Sequence, residues 1–559
     1  MSKKMLALAL AGLALSCCEP TPRTNSEKHT AEKKDTAQPV AVTEQPATAA
    51  AATTPATEAQ SPAPEVKTPA AEDTSQAPEE PATPEPAVQA AEDPSATLLS
   101  VALTVQDFNR LTPWEKSAAS SSRMNGVYMG NGLVLTLGSS LALTNYVEIS
   151  LPDGSRTVPA KVLRYDADLN LGLLMVEDEN DASIFDSRTM HEVGEPLSRG
   201  SKAELWCTLN GTEPLRIPLT AEVGSTEGGM PRLQMRAEQS VPGNYSHGAP
   251  VMKDGKLVGI TSGYISASRQ LRVINAEIIK RFLLATPETA KGVPVLGVSM
   301  AELTDPVFRN YLKLSNDSTG VYLSNVKPEG AAAAAGLQKG DVLTSVEGFS
   351  VDNRGRCNLP YYGLIDVVTA VRYLKPIGEK LTITYRRDGA EHTTEVEMNR
   401  DAEQKSLIPD EVQGDAPLYV VWGGLVFQPL TTNYQNAMKA ETKGAMPTEF
   451  LELEGRTDEL RERGFRELTV LTRVVPTKAT LGYDSCQFCL VEKVNGKEPH
   501  DFAEFIKLLD APTESGMVEL TINKAPYVIY MEHQAAEAAN DELRRGGIIN
   551  LRRTDVADK

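Results

Sequence analysis

The chain has 559 residues and a formal net charge of −19 at pH 7, with 75 acidic side chains against 56 basic ones. Neutralising phosphates requires clustered Lys and Arg, which this sequence lacks, so the charge balance argues against a nucleic-acid partner. No segment after the N-terminus is apolar for long enough to form a transmembrane helix.

The N-terminus has the pattern of a secretory signal peptide, predicted over residues 1–16. Two lysines precede the apolar residues 5–15, a run too short for a permanent membrane helix. Residues 14–17 resemble a bacterial lipobox, in which Cys17 becomes the acylated first residue of the mature protein. That resemblance implies a lipid-anchored protein of the bacterial cell envelope, periplasmic or at the outer membrane. In the alternative interpretation an ordinary signal is cleaved nearby, and Cys17 and Cys18 carry no lipid.

Residues 17–97 are predicted to form a disordered tether. They are rich in Ala, Pro, Thr and Glu and nearly free of large apolar side chains, so they cannot bury enough surface to offset the entropy of ordering. Between residues 19 and 97, 14 acidic side chains stand against 5 basic ones, which is about half of the net charge. A tether of this length spans roughly 50 Å and would hold a folded body clear of the membrane.

Residues 98–290 consist of short β-rich runs separated by Gly, Pro, Asn and Asp turns. The clearest runs are residues 126–129, 133–135, 147–151 and 256–260. Many short strands at this spacing predict a β-barrel or a β-sandwich, and periodicity does not distinguish the two.

Two segments of this region, residues 130–141 and residues 165–176, match a known protease pattern. They resemble the segments that carry the catalytic base and the triad aspartate in the HtrA/Deg family of chymotrypsin-like serine proteases. Ser139 stands at the base position, and Asn170 stands at the aspartate position, with Asp168 two residues away. The resemblance implies a trypsin-like double β-barrel.

Residues 242–251 resemble the nucleophile loop of the same family. Aligning on the closing proline places His247 at the nucleophile position, whereas aligning on residues 242–244 places Tyr245 there. Ser246 lies between them, so it becomes the nucleophile only with a one-residue insertion. Such an insertion would disturb the turn whose backbone N–H groups form the oxyanion hole.

These substitutions predict a degenerate triad at Ser139, Asn170 and His247, with no catalytic residue expected. A hydroxyl does not take a proton near neutral pH as an imidazole does, and an uncharged amide does not stabilise an imidazolium. Of the six histidines only His29 precedes Asn170, and it lies in the tether, so an orthodox triad is excluded.

An active enzyme with a rearranged site is the alternative. Its nucleophile would be Ser246, with His191 or His247 as the base. Adjacent side chains on a strand point to opposite faces, which weakens the pairing with His247 unless the loop is irregular. The sequence therefore leaves open whether the chain is an enzyme.

Residues 291–400 differ in character from the region before them. An Ala-rich helix ends at a glycine and turns into a strand predicted over residues 342–346, and an amphipathic helix is predicted over residues 366–374. A further strand is predicted over residues 381–387. Together with residues 295–298 and 320–326, these segments resemble the first PDZ domain of the HtrA/Deg family.

In a PDZ domain an extended peptide adds a strand to the sheet edge, and loop N–H groups hold its terminal carboxylate. The resemblance assigns that loop to Leu296, Gly297 and Val298. In the alternative interpretation this module packs on the protease-like body and takes no free ligand.

Residues 401–535 resemble the second PDZ domain of Deg proteases, on the signature at residues 423–430. Strands are predicted at residues 468–471 and 491–496, and residues 536–559 are expected to form a separate C-terminal segment. The predicted peptide-binding residues are Gly424, Leu425 and Val426. Alternatively, residues 423–427 form a packing edge that serves assembly.

The remaining cysteines give no metal site. Cys486 and Cys489 have the spacing of a redox or zinc half-site, but no second Cys or His pair lies near them in sequence. A local disulfide or two buried thiols is predicted, Cys207 and Cys357 are isolated, and neither a cofactor nor a metal is expected.

The fold predicted for the whole chain is mainly β with α+β modules: a trypsin-like double β-barrel followed by two PDZ domains, preceded by a disordered tether. The predicted function is an inactive protease homologue that binds unfolded polypeptides or protein C-termini, in quality control or as a scaffold or regulator. The alternatives are an active serine endopeptidase around Ser246 and a structural, self-assembling envelope lipoprotein. The resemblance implies a homo-oligomer, as a trimer, and the lipid anchor implies a membrane partner.

Overall fold

The computed structural model describes residues 93–286, 292–315, 317–410 and 414–554. All of them belong to one compact unit that begins at residue 86. The predicted signal peptide, Cys17 and nearly all of the predicted tether lie outside the described residues. Within the described ranges, no helix combines the length and apolar character needed to cross a membrane.

The first six strands close into a barrel in the order β1-β2-β3-β6-β5-β4. They are β1 (Leu98–Val105), β2 (Ser120–Tyr128), β3 (Leu133–Thr136), β4 (Thr144–Ser150), β5 (Thr157–Asp166) and β6 (Leu171–Val176). Alternate apolar side chains fill the interior, such as Val101 and Leu103 of β1 and Val147 and Ile149 of β4. The strands predicted in this part of the chain are confirmed.

The next six strands close into a second barrel in the order β10-β11-β12-β9-β8-β7. They are β7 (Lys202–Leu209), β8 (Glu213–Glu227), β9 (Met230–Ala237), β10 (Pro250–Lys253), β11 (Lys256–Ile265) and β12 (Gln270–Asn275). Helix α1 (Ala276–Leu284) follows, and its buried face shares a core with the first barrel. Two closed barrels in tandem confirm the trypsin-like double barrel and exclude a sandwich.

The first PDZ domain has a main sheet in the order β13-β14-β15-β19-β20, and β16 pairs with β15. Its strands are β13 (Val298–Ala301), β14 (Val321–Val326), β15 (Val342–Val346), β16 (Phe349–Ser350), β17 (Arg356–Leu359), β18 (Gly363–Asp366), β19 (Lys380–Arg387) and β20 (Ala390–Glu397). Its helices are α2 (Pro306–Tyr311), α3 (Ala331–Ala334), α4 (Val367–Leu374) and, just after it, α5 (Asp401–Gln404). The predicted strand at residues 342–346 coincides with β15. The Asp366 side chain caps α4 by accepting from the Val368 N–H at 2.8 Å.

This domain packs on the second barrel through α4 and the β17–β18 hairpin. Cys357, Tyr362 and Ile365 are buried in the same apolar cluster as the core of the second barrel. The Gly224 N–H of β8 also donates to the Tyr362 carbonyl at 2.8 Å. The first PDZ domain therefore packs on the double barrel, as the alternative interpretation of residues 291–400 expected.

The second PDZ domain has one sheet in the order β26-β25-β24-β23-β22-β21-β27. Its strands are β21 (Tyr419–Trp422), β22 (Leu425–Pro429), β23 (Thr469–Val474), β24 (Cys489–Val494), β25 (Met517–Ile522), β26 (Val528–Glu532) and β27 (Arg552–Arg553). Its helices are α6 (Thr432–Glu441), α7 (Thr448–Leu451), α8 (Thr457–Glu462), α9 (Phe502–Asp510) and α10 (His533–Arg545). Because α10 packs on β21 and β27 pairs with it, the described part of the C-terminal segment belongs to this domain.

The loop between β1 and β2 joins the first barrel to the second PDZ domain. Gln428 Nε2 donates to the Arg110 carbonyl at 2.9 Å, and the rings of Trp114 and Tyr419 meet edge to face at 6.3 Å. Leu111 packs against the apolar cluster beside α6. The two ends of the described unit are thus in direct contact.

Glu277 of α1 is a buried carboxyl at the junction with the first PDZ domain. Its Oε1 accepts from the Tyr362 hydroxyl, and for Oε2 the described residues provide no hydrogen-bond partner. Burial raises the pKa of Glu277 above its ordinary value, although the bond from Tyr362 acts in the opposite direction. The folded state therefore binds the proton more tightly than the unfolded state, and this stabilisation is lost as pH rises through the folded pKa.

Glu277→Gln is expected to raise the free energy of unfolding by about 1 kcal/mol at pH 7 and to give no gain at pH 4. Melting temperatures of both proteins at the two pH values measure the difference. Glu195→Gln is the control, because the bond from Lys280 lowers the pKa of the exposed Glu195, so its effect has the opposite sign. A gain for Glu277→Gln that is the same at both pH values would contradict the assignment.

Candidate functional site

The structure brings together Ser139 and Asn170, the two residues that the resemblance places at triad positions of the first barrel. Ser139 is exposed in the turn after β3, and its backbone N–H donates to Asn170 Oδ1 at 2.9 Å. Asn170 has a φ of 59°, in the left-handed region that asparagine tolerates better than most residues. The Asn170 amide oxygen therefore accepts a hydrogen bond from the backbone of the Ser139 loop and does not orient an imidazole.

The Asp168 carboxylate is engaged elsewhere. Its Oδ2 accepts from Arg400 Nη1 at 2.6 Å and from the Val293 N–H at 3.2 Å. Both partners flank the first PDZ domain, so Asp168 joins that domain to the first barrel.

The nucleophile loop forms a 3₁₀ turn, Gly243–Tyr245. Within it the Tyr245 N–H donates to the Pro242 carbonyl at 3.0 Å and the Ser246 N–H donates to the Gly243 carbonyl at 3.3 Å. The Tyr245 side chain, 4% exposed, anchors the turn in the core of the second barrel. An oxyanion hole requires N–H groups that converge on a substrate oxygen, and these two N–H groups are bonded inside the turn.

Ser246 and His247 are in hydrogen-bond contact. Ser246 Oγ lies 2.7 Å from His247 Nδ1 and 2.8 Å from the Gly243 carbonyl oxygen. The hydroxyl has one proton and the carbonyl only accepts, so the two acceptors compete for it. When the proton lies on the Gly243 side, His247 Nδ1–H donates to the serine and cannot act as its base.

His191 is a core histidine and forms no pair with Ser246. Its ring is 5% exposed, Nδ1 lies 2.8 Å from the Gly255 carbonyl oxygen, and Nε2 lies 2.9 Å from Thr97 Oγ1. A carbonyl only accepts, so Nδ1 carries the proton and both ring nitrogens are engaged. The hypothesis that His191 serves Ser246 is wrong for this structure.

Asn125 of β2 joins the nucleophile loop to the first barrel, a role that the sequence reasoning missed. Its Nδ2 donates to the Asn244 carbonyl at 2.7 Å and to the His247 carbonyl at 2.8 Å. Its own carbonyl faces Gly248, which has a φ of +76°. No local pattern marks a strand asparagine for this role, because both partners lie more than 100 positions away.

In the first PDZ domain Leu296, Gly297 and Val298, the residues predicted to hold a carboxylate, lead into β13. The Leu296 carbonyl accepts from the Ala332 N–H at 3.0 Å and the Gly297 carbonyl accepts from the Lys327 N–H at 2.8 Å. Gly297 has a φ of +78°, and Val298 begins β13. Among the described strands, β13 pairs only with β14, so its outer edge is unpaired. This is the arrangement that strand addition by a peptide requires.

The prediction of peptide binding at Gly424, Leu425 and Val426 is wrong. Leu425 and Val426 belong to β22, which pairs with β23 on one side and with β21 on the other. The chain's own β21 therefore occupies the edge that a peptide would use, and both side chains are fully buried. The alternative, a packing edge that serves assembly, stays a prediction, because the strands paired with β22 belong to the same chain.

The four described cysteines are buried thiols that form no disulfide with one another, which resolves the choice left open for Cys486 and Cys489. Burial raises the pKa of Cys207 to about 12 and that of Cys357 to about 11, so neither is poised as a nucleophile. Over the described ranges, no group of three or more His, Cys, Asp or Glu side chains could hold a metal ion.

Comparisons with known proteins agree with this architecture. Residues 294–398 and residues 408–554 each match a family model described as PDZ domain. Protease Do-like 2, chloroplastic, from Arabidopsis thaliana is 25% identical over 472 residues, covering 80% of this chain and 73% of that protein. Serine protease Do-like HtrA from Lactococcus lactis is 26% identical over 317 residues, covering 51% and 74%.

A solved structure of the HtrA-type protease AlgW with decapeptide is 17% identical, with a TM-score of 0.39, covering 55% of this chain and 95% of that chain. The two family models account for the C-terminal modules, and the sequence relatives extend over the double barrel as well. The chain is therefore a homologue of the HtrA/Deg proteases, with a trypsin-like double barrel followed by two PDZ domains.

Proposed function

We propose that this protein binds polypeptides by their free C-termini or unfolded segments and does not cleave them. The observation that carries the proposal is the nucleophile loop, whose Tyr245 and Ser246 N–H groups are bonded within a 3₁₀ turn. Losing even one oxyanion-hole donor costs an enzyme of this type about 10²- to 10³-fold in kcat.

The absence of a base at Ser139 adds to this. Ser139 Oγ is a hydroxyl, and the neighbouring Asn170 oxygen is already an acceptor for a backbone N–H. Neither group takes the proton of an attacking alcohol near neutral pH. The proposed loss of activity therefore has two independent causes, one in each barrel.

Polypeptide binding is assigned to the first PDZ domain. It has a formed loop at Leu296–Val298 and an unpaired β13 edge, whereas β21 covers the corresponding edge of the second PDZ domain. Partly buried Val298 and Met300 line the β13 side of the domain core, which favours a ligand with an apolar C-terminal residue.

The proposed location is the bacterial cell envelope, with a lipid anchor at Cys17. Support for it comes from the signal-like N-terminus and the lipobox pattern. A binding protein with this anchor would capture envelope proteins whose C-termini or unfolded segments are exposed, as quality control requires.

A second candidate function is a serine endopeptidase with a Ser246–His247 dyad, favoured by the 2.7 Å contact between Ser246 Oγ and His247 Nδ1. We expect purified protein to cleave casein no faster than its Ser246→Ala variant and to remain unlabelled by a fluorophosphonate probe. Stoichiometric labelling that disappears in Ser246→Ala, together with casein cleavage, would establish the dyad and refute the inactive site.

The binding half of the proposal has its own measurement. Fluorescent decapeptides with an apolar C-terminal residue are prepared as one pool with a free carboxylate and one with a C-terminal amide. Full-length protein is expected to raise the anisotropy of the acid pool and to bind the amide pool at least tenfold more weakly, because the amide cannot accept charge-assisted bonds. Equal binding of the two pools would contradict recognition of C-termini.

A further inference from the structure

The linker helix α5 lies directly against the predicted carboxylate loop of the first PDZ domain. A Cβ atom built on Gly297 would lie 2.8 Å from Ala402 Cβ, and Ala402 is only 1% exposed. The Ala402 carbonyl also accepts from Lys327 Nζ at 3.2 Å, and the Lys327 backbone is bonded to the same loop.

A chain of ion pairs holds this helix in place. Glu403 Oε1 accepts from Arg372 Nη2 of α4 at 2.8 Å, and Glu403 Oε2 accepts from Arg400 Nη2 at 2.9 Å. Arg400 in turn donates to Asp168 of the first barrel at 2.6 Å. The Arg372 and Glu403 side chains are 18% and 19% exposed, so solvent screens their attraction only in part.

Helix α5 has four residues, too few to be stable on its own propensity. Side-chain contacts therefore hold α5 against the loop, and substitution of the charged residues can break those contacts. Glu403 supplies the carboxylate that ties α5 to Arg372 of α4, and the neighbouring Ala402 is the residue of α5 that lies against Gly297.

We propose that α5 is an intramolecular latch on the first PDZ domain, held against the Gly297 loop by the Glu403 ion pairs, and that it must loosen before a polypeptide C-terminus binds there. This inference rests on the proposed function, because a latch presupposes a ligand. A site that is competent for only a fraction of the time binds with an apparent affinity reduced by that fraction. Weakening the latch therefore tightens binding.

The test uses the full-length protein and the acid and amide decapeptide pools. Glu403→Gln removes the charge and keeps the shape, and it is expected to lower the apparent Kd of the acid pool about tenfold. The control is Asp401→Asn on the same helix, because Asp401 pairs with the exposed Lys405 at 2.8 Å and is expected to change the Kd less than twofold.

Arg400→Gln is the second variant, since it loosens the same helix by removing its link to Asp168. Tighter binding by both latch variants, with Asp401→Asn unchanged, supports the latch. If wild type and both variants bind the acid pool with the same Kd, or if the variants bind it more weakly, the latch is overturned while C-terminal recognition stands. If no protein prefers the acid pool to the amide pool, the proposed function itself fails.

Discussion

Gly248→Val is expected to lower the free energy of unfolding by about 4 kcal/mol or more. Few single substitutions cost as much, and those that do include severe steric clashes. Gly248 has a φ of +76°, and a Cβ atom there would lie 2.2 Å from the Asn125 carbonyl oxygen of β2. That oxygen belongs to strand backbone and cannot move aside. The Gly248 N–H also donates to the Thr261 carbonyl at 2.7 Å, so the loop cannot move away from Asn125 without losing this bond.

Gly200→Val is the matched control for the positive φ. Gly200 has a φ of +82° and no atom within 4 Å of a built Cβ, so valine there meets backbone strain alone, about 1–3 kcal/mol. Urea unfolding followed by circular dichroism measures both variants. Equal losses at the two sites would show that the close approach of Gly248 to Asn125 is not what the fold depends on.

The packing of the two barrels against each other explains why residue 248 is a glycine. Gly248 and Asn125 close the seam between the two barrels, a requirement of the fold whether or not a substrate is cut. Ser139, in contrast, is exposed, so the core does not depend on its side chain.

Short-range patterns predicted the elements that local chemistry determines. The strand at residues 342–346 follows a glycine turn, and helix α4 begins after Asp366, whose side chain caps it. The family resemblance placed Ser139 and Asn170 at two positions of one triad, and in the structure the Ser139 N–H donates to Asn170 Oδ1.

The closed edge of the second PDZ domain could not be predicted in this way. The run Gly423–Phe427 is equally apolar whether a ligand or the chain itself pairs with β22. The position of β21 decides which strand pairs with β22. A distant residue holds β21 in place, because the Tyr419 hydroxyl donates to the Asn550 carbonyl, 131 positions further along. No local pattern carries that information, and for the same reason the sequence did not reveal that α5 covers Gly297.

Gly297→Val is expected to weaken binding of the acid decapeptide pool about 100-fold or more. Gly297 has a φ of +78°, so its N–H direction depends on a backbone conformation that a β-branched residue strongly disfavours. A built Cβ would also lie 3.0 Å from Gly330 Cα, in the backbone that supports the loop. Two or more charge-assisted bonds to the carboxylate would be lost, at about 1.5–3 kcal/mol each.

The control is Gly389→Val, in the turn between β19 and β20. Gly389 has a φ of +84° and open space around a built Cβ, so valine there adds comparable strain within the same domain, away from the carboxylate loop. We expect Gly389→Val to bind the acid pool within about threefold of wild type, since in the proposed complex the loop at Gly297, and not this turn, holds the carboxylate. If Gly297→Val still bound the acid pool at the wild-type level, the ligand would have to use another surface, and the unpaired edge of β13 would need a different explanation.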